Sequence, residues 1–203
     1  MRANGWSSTE DKNLESVISE YIKVLWVEPN NIDAHFNLGL IYYRQGNYNK
    51  AIKEFEKVIK IDPRDAEAHL NLGLLYHLKG ELGIAVEEYK KAIELNPRDP
   101  DAHLSLGVAY QDTGELELAK SEFLKAIKID KNYAEAYLNL GILYYREGEL
   151  NRAIKEFIKC LKIEPENEEV HYNLGLAYYR LGYYENAIKE FEEVLRLNPG
   201  DFK

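Results

Sequence analysis

Four histidines recur in register: His35, His69 and His103 follow one another at 34 residues, and His171 keeps the phase, with Tyr137 in the vacant slot. Evenly spaced imidazoles invite a metal-binding reading, since imidazole is the commonest metal ligand. One zinc ion needs its ligand atoms ~2.0–2.1 Å away. Successive packed helices stand ~8–10 Å apart, so one ion cannot join histidines carried on successive helices. No His-x-x-x-His pair or cysteine cluster accompanies them, and they read as core residues. The single cysteine, Cys160, excludes an internal disulfide, suits a reducing compartment and falls where other repeats carry Val58, Ala92, Ala126 and Val194. It reads as a small core residue. The chain shows no glycine-rich phosphate loop, nucleophile elbow or isolated carboxylate pair. No catalytic residue, metal or cofactor is expected, and the chain reads as non-enzymatic.

Bulk composition narrows the partners. A formal net charge of −9 argues against nucleic acid and against anionic membranes, because neutralising phosphates needs a basic surface. No run of 18 apolar residues exists, so no membrane insertion is expected. The first residues lack the apolar core of a signal peptide, which makes the cytoplasm the default location.

The histidines belong to a longer pattern. Gly39, Gly73, Gly107, Gly141 and Gly175 lie 34 residues apart, and so do Tyr42, Tyr76, Tyr110, Tyr144 and Tyr178. Gly46, Gly80, Gly114, Gly148 and Gly182 form a third such series, and Ala51, Ala85, Ala119, Ala153 and Ala187 a fourth. These series define repeats 32–65, 66–99, 100–133, 134–167 and 168–201, whose positions we number from one as places. Asn31, Asp65, Asp99 and Asn167 offer N-caps for a first helix, A. Asp33, Glu67, Asp101, Glu135 and Glu169, at place 2, put acids in its first turn, where the macrodipole favours them. Glycine at place 15 ends helix A, and helix B runs from about place 17 until Pro63, Pro97, Pro165 or Pro199 stops it, with Lys131 the exception. Residues 10–29 fit a lone N-terminal helix equivalent to helix B, a half repeat, behind an irregular segment at 1–9. The fold class is all-α.

This pattern resembles the tetratricopeptide repeat (TPR) family, whose period is 34 residues. The resemblance covers about residues 32–201 and departs at place 4, where the family favours Trp and this chain has His35, His69, His103, Tyr137 and His171. It implies a right-handed superhelical α-solenoid of stacked antiparallel helix pairs, about 11 helices in all, over residues 30–203 and the half repeat before them. It also implies that helix A lines a concave groove holding another protein or peptide. One subfamily grips the acidic C-termini of heat-shock chaperones with basic residues at places 2, 5 and 6. Here place 2 is acidic, place 5 apolar or aromatic and place 6 never basic, so that partner is not expected.

A helical wheel assigns the faces. One arc of helix A carries the place-4 residue, Leu, Gly and Tyr and reads as the interhelix core. The opposite arc carries the candidate groove residues. These are Phe36, Asn37, Leu40, Tyr43 and Arg44 in the first repeat, and Leu70, Asn71, Leu74 and His77 in the second. Leu104 and Val108 follow, then Leu138, Asn139, Ile142, Tyr145 and Arg146, then Tyr172, Asn173, Leu176, Tyr179 and Arg180. Tyrosine and arginine are enriched among interface hot spots, and asparagine can both donate to and accept from a peptide backbone. Helix B has one apolar stripe and one charged face. Glu54, Glu88, Glu122, Glu156 and Glu190, at place 23, read as part of a solvated outer wall. Repeat 3 departs most, with Ser105, Lys120 and Lys131, which marks the junction of repeats 3 and 4 as the expected bend.

Both ends are unusually apolar. Trp26 and Ile22 replace charged outer-wall positions, and Val194 and Leu195 keep the apolar pattern of the internal repeats. These four are the candidates for self-association. The leading functional reading is a scaffold binding an extended or short helical segment of a partner protein. The competing readings are self-assembly into a homo-oligomer through the ends, or the targeting domain of a larger enzyme.

Overall fold

The computed structural model describes residues 8–199 and contains eleven α-helices and no strand among them. Residues up to Pro97 form one compact unit and those from Arg98 a second. The first unit holds α1 (Ser8–Val27), α2 (Ile32–Arg44), α3 (Tyr48–Ile61), α4 (Ala66–Leu78) and α5 (Leu82–Leu95). The second holds α6 (Pro100–Thr113), α7 (Leu116–Ile129), α8 (Ala134–Arg146), α9 (Leu150–Ile163), α10 (Glu168–Arg180) and α11 (Tyr184–Leu197). From α2 onward, even-numbered helices are helix A and odd-numbered ones helix B. Residues 1–7, including Trp6, and residues 200–203 lie outside the described residues. Ser8 and Thr9, expected in the irregular segment, open α1. That helix stops at Val27, ahead of Pro29, because a proline ring disfavours helical geometry in the residue before it.

The expected caps form at four of the five A helices. Asn31, Asp65 and Asn167 side chains accept from the backbone N–H three residues on, at 2.9, 2.9 and 3.1 Å. Asp99 accepts from Asp101 N–H at 2.9 Å. The fifth, α8, has Tyr133 at its cap and no side-chain cap bond. Gly148, after α8, has φ +80°, a left-handed conformation that penalises any Cβ.

Within the first unit α2 packs on α3, α4 on α5, α3 on α4 and α1 on α2; within the second the same scheme joins α6 through α11. The glycine at place 8 permits the close approach inside each pair. A Cβ on Gly141 would sit 2.5 Å from the Phe157 ring, and one on Gly73 would sit 2.7 Å from the Tyr89 ring. Phe157 is fully buried, with Tyr137, Leu138, Cys160, Val170 and Leu174 in the same cluster. Burial also raises the Cys160 thiol to about 11, with Glu164 and Glu169 adding to the shift, so its nucleophilic thiolate is scarce at neutral pH.

One expectation needs correction. The place-23 glutamates are not a solvated wall: Glu88, Glu122 and Glu156 are buried. Four of the five place-23 glutamates serve the histidines of helix A, while Glu156, in the repeat that carries Tyr137, meets Lys159. His35 Nδ1 lies 2.6 Å from Glu54, and His69, His103 and His171 repeat the contact with Glu88, Glu122 and Glu190 at 2.6, 2.6 and 2.7 Å. The Nε2 atoms of His35, His69 and His171 face the carbonyls of Pro29, Pro63 and Pro165 at 3.0, 3.3 and 3.0 Å. Each of these three rings ties its own helix B to the loop that precedes its helix A. A carboxylate buried with a hydrogen-bonding partner avoids the penalty of an unpaired buried charge, which is why glutamate is tolerated there.

The junction of repeats 3 and 4 is not the break between units, which falls one repeat earlier. Lys120 crosses that junction: its ammonium meets Glu147 at 3.0 Å and lies 5.5 Å from the Tyr144 ring centroid. Tyr133, at the cap of α8, donates to Asp101 of α6. Lys120 therefore binds the neighbouring repeat rather than loosening the junction.

Candidate partner-binding face

Places 2, 6, 9 and 13 are spaced by four, three and four residues, so they fall on one stripe of helix A. In α8 the stripe reads Glu135, Asn139, Ile142, Arg146, and in α10 it reads Glu169, Asn173, Leu176, Arg180. In α2 it is Asp33, Asn37, Leu40, Arg44. The same register in α4 gives Glu67, Asn71, Leu74, Leu78, and in α6 it gives Asp101, Ser105, Val108, Asp112.

The asparagines are oriented by their own helices. Asn37, Asn71, Asn139 and Asn173 each donate Nδ2 to the backbone carbonyl of the place-2 acid, at 2.7, 2.8, 2.9 and 2.8 Å. A carbonyl only accepts, so the amide nitrogen must face it and Oδ1 is left for another donor. Sequence reasoning gave these amides two-way capacity; the geometry makes each chiefly an outward acceptor.

The aliphatic residues Leu40, Leu74, Val108, Ile142 and Leu176 are half-buried and keep one side open to the face. Place 5 behaves differently from expectation. Leu104 is buried and Leu138 is only 7% exposed, in contact with the core cluster that includes Val170 and Leu174. Place 5 lies at the border of the stripe, and in α8 the next A helix covers it, since Leu138 packs with Val170 and Leu174 of α10. Leu104 and Leu138 are therefore packing residues. Phe36 and Leu70 are half-buried, Phe36 meeting Phe55 edge-on at 5.3 Å. Tyr172, on the last A helix, is 48% exposed and tilts against Phe191 at 6.0 Å.

At place 12, Tyr43 and Tyr145 are half-buried against their clusters and Tyr179 is 60% exposed, edge-on to Tyr184 at 5.6 Å. His77 lies edge-on to Tyr89 at 6.4 Å. Arg44, Arg146 and Arg180 are exposed. Arg180 is held in place: its guanidinium stacks 4.8 Å from the Tyr145 ring centroid and donates to the Tyr145 carbonyl at 3.3 Å. That contact between successive A helices was not read from the sequence, although the shared Tyr-Tyr-Arg ending of α8 and α10 was its signal. No ion pair engages Glu135, Glu169, Arg146 or Arg180 among the described residues. Burial, with Asp101, Glu164 and Glu169 nearby, pushes the Glu135 carboxyl above its ordinary value.

Of the self-association candidates, Trp26 is 87% exposed and Ile22 and Leu195 are also exposed, but Val194 is only 4% exposed. Place 27 sits on the side of helix B that faces its own helix A, so α10 already covers Val194. Tyr89 has a buried hydroxyl without a partner among the described residues, at a place where the other repeats have Phe.

No helix among the described residues is long and apolar enough to cross a membrane. The sequence profile described as TPR repeat matches residues 10–46, 39–80, 76–114, 111–148 and 143–182, and that described as tetratricopeptide repeat matches 168–201. No curated protein sequence matches the chain. Among solved structures, a crystal structure of MamA protein superposes with a TM-score of 0.73 at 30% identity, over 83% of this chain and 92% of that one. PilF of Pseudomonas aeruginosa gives 0.77 at 25% identity, over 82% and 76%. YrrB, described as a TPR protein with an unusual peptide-binding site, gives 0.70 at 20% identity over 89% and 93%, a likeness of fold alone.

Proposed function

Because this chain belongs to the tetratricopeptide repeat family, we propose that it is a non-enzymatic protein-interaction module. Its A-helix faces hold an extended or short helical segment of a partner protein. The observation that carries this reading is the stripe of α8 and α10, where an acid, an outward amide oxygen, a half-buried aliphatic and an exposed arginine recur without an internal charge partner. Tyr179 and Arg180 add the side-chain types that dominate interface energetics.

Capture from a lysate, followed by sequencing of the captured segment, identifies the partner. The combined Asn173→Ala, Tyr179→Ala and Arg180→Ala variant should lose that capture while its melting temperature stays within a few degrees of the parent. Retained capture would sink the reading. Tyr145 is left out of this set because it packs against the core cluster and its loss would cost stability.

A second reading, association of copies through α1, is favoured by one observation. Trp26, Val27 and Ile22 form an exposed apolar surface on that helix, and such patches are seldom left wet. Light scattering at rising concentration, with Trp26→Lys as control, tests it; a concentration-independent monomer mass would exclude it.

A further inference from the structure

The stripe of α8 and α10 has a polarity that a merely apolar groove would lack. Glu135 and Glu169 stand at the N-terminal edge of the two helices, with Asp101 of α6 continuing the acidic edge. Arg146 and Arg180 stand at the C-terminal edge. Eleven residues separate the edges, about 16 Å at 1.5 Å per residue. Between them lie Ile142 and Leu176, half-buried, and the amide oxygens of Asn139 and Asn173. Glu135, Glu169, Arg146 and Arg180 meet no opposite charge within the described residues, and Arg180 is pre-set by its stacking on Tyr145.

We propose that this face selects a partner segment lying along the helix axes, with a lysine or arginine seated against Glu135 and Glu169 and a carboxylate against Arg146 and Arg180. This rests on the reading that the A-helix faces hold a partner segment, and it names that segment's chemistry. Geometry also sets the spacing. An extended segment covers about 13 Å in four residues, and side chains four apart share a face; the long lysine and arginine side chains reach the remaining ~3 Å, so the cation and the carboxylate are four apart, with an apolar side chain between them for Ile142 and Leu176.

Two further features fit this occupant better than a uniformly charged one. An acidic segment would meet Arg146 and Arg180 but be repelled by three carboxylates at the other edge. A wholly basic segment would be attracted to the acids and repelled by the arginines. α6 ends its stripe in Asp112, not arginine, so the two-signed pattern in this unit is confined to α8 and α10.

The test uses the full chain and four synthetic eight-residue peptides with alanine and leucine in the middle. One has lysine second and aspartate sixth. In the others these two positions are glutamine and asparagine, two lysines, or two aspartates. Amide and methyl NMR titrations read affinity and place. The lysine–aspartate peptide should bind at α8 and α10 about fivefold more tightly than the neutral one, the scale of two exposed ion pairs. Raising the salt should erase that advantage. Glu135→Gln with Glu169→Gln should erase it too, and Arg146→Glu with Arg180→Glu should transfer it to the two-lysine peptide. Equal affinity for charged and neutral peptides at this face overturns the charge selection and leaves the partner-binding reading standing. Shifts confined to helix B, or none with any of the four, overturn both.

Discussion

The charges on helix B and those on helix A are numerous in both places but differ in what holds them. On helix B they are largely engaged within the fold. Glu149 meets Arg152 at 2.6 Å, Glu193 meets Arg196 at 2.7 Å, and Glu122 and Glu156 meet Lys125 and Lys159 at 2.7 and 2.8 Å, each pair three residues apart on one helix. Glu122 also takes the His103 ring. On the stripes of α8 and α10, acids and arginines lie eleven residues apart on one helix, out of reach of each other. Helix B charges can be explained by solubility and by the His–Glu ties. Helix A charges complement the helix macrodipole but meet no opposite charge inside the chain, and they are interleaved with half-buried aliphatics. Local satisfaction, more than charge density, separates a structural wall from a recognition face.

If that contrast is right, damage to the elements that hold the helices together should dwarf anything done to the stripe. Phe157→Ala, which removes the ring under Gly141, should cost about 3–5 kcal/mol in urea unfolding. A cost below about 1 kcal/mol would mean that the pair is not closed by this contact. Breaking the tie between helix A and helix B comes next. His69→Ala or Glu88→Ala leaves a buried polar partner unpaired and should cost about 1–3 kcal/mol. The double variant should cost clearly less than the sum, because the two share one interaction; full additivity would show that place 23 is a wall after all.

Smaller effects sharpen the picture. Tyr89→Phe removes a buried hydroxyl that has no partner and restores the residue used in the other repeats. It should raise stability by about 1 kcal/mol, and a loss would reveal a hidden partner for that hydroxyl. Glu135→Gln should raise the melting temperature slightly at neutral pH. A carboxylate whose folded pKa is raised stabilises the fold in its protonated form, and that contribution fades as pH rises through the folded pKa. The gain of the variant over the parent should therefore vanish well below pH 4.5, the ordinary value, and grow toward pH 7. A gain that is constant across the range would argue against the crowded-carboxylate account.

Much of the scaffold was legible from residue identity. The caps at Asn31, Asp65, Asp99 and Asn167 and the glycines that end the A helices are local signals, and local physics acts on them alone. The helix A face was legible too, through its wheel. The ties between elements were not. Glu88 at place 23 looks like a surface residue because its neighbours on helix B are charged. Only the constant 19-residue offset from His69, kept by His35–Glu54, His103–Glu122 and His171–Glu190, hints at a partner on helix A. Leu104 and Leu138 were misplaced for a related reason: a wheel shows one helix, and burial at its border depends on the next. Lys120 looked like a flaw until Glu147 was found within 3.0 Å of it.

The central claim is that the partner sits on the A helices and not on the B helices. Photo-crosslinking tests it most directly, with benzoylphenylalanine placed singly at Leu176 and Tyr179 of α10 and, for comparison, at Leu124 of α7 and Ile158 of α9. The last two are exposed apolar residues on B helices. The account predicts that the captured partner segment crosslinks from Leu176 and Tyr179 and not from Leu124 or Ile158. Crosslinks from the B-helix positions alone would contradict it.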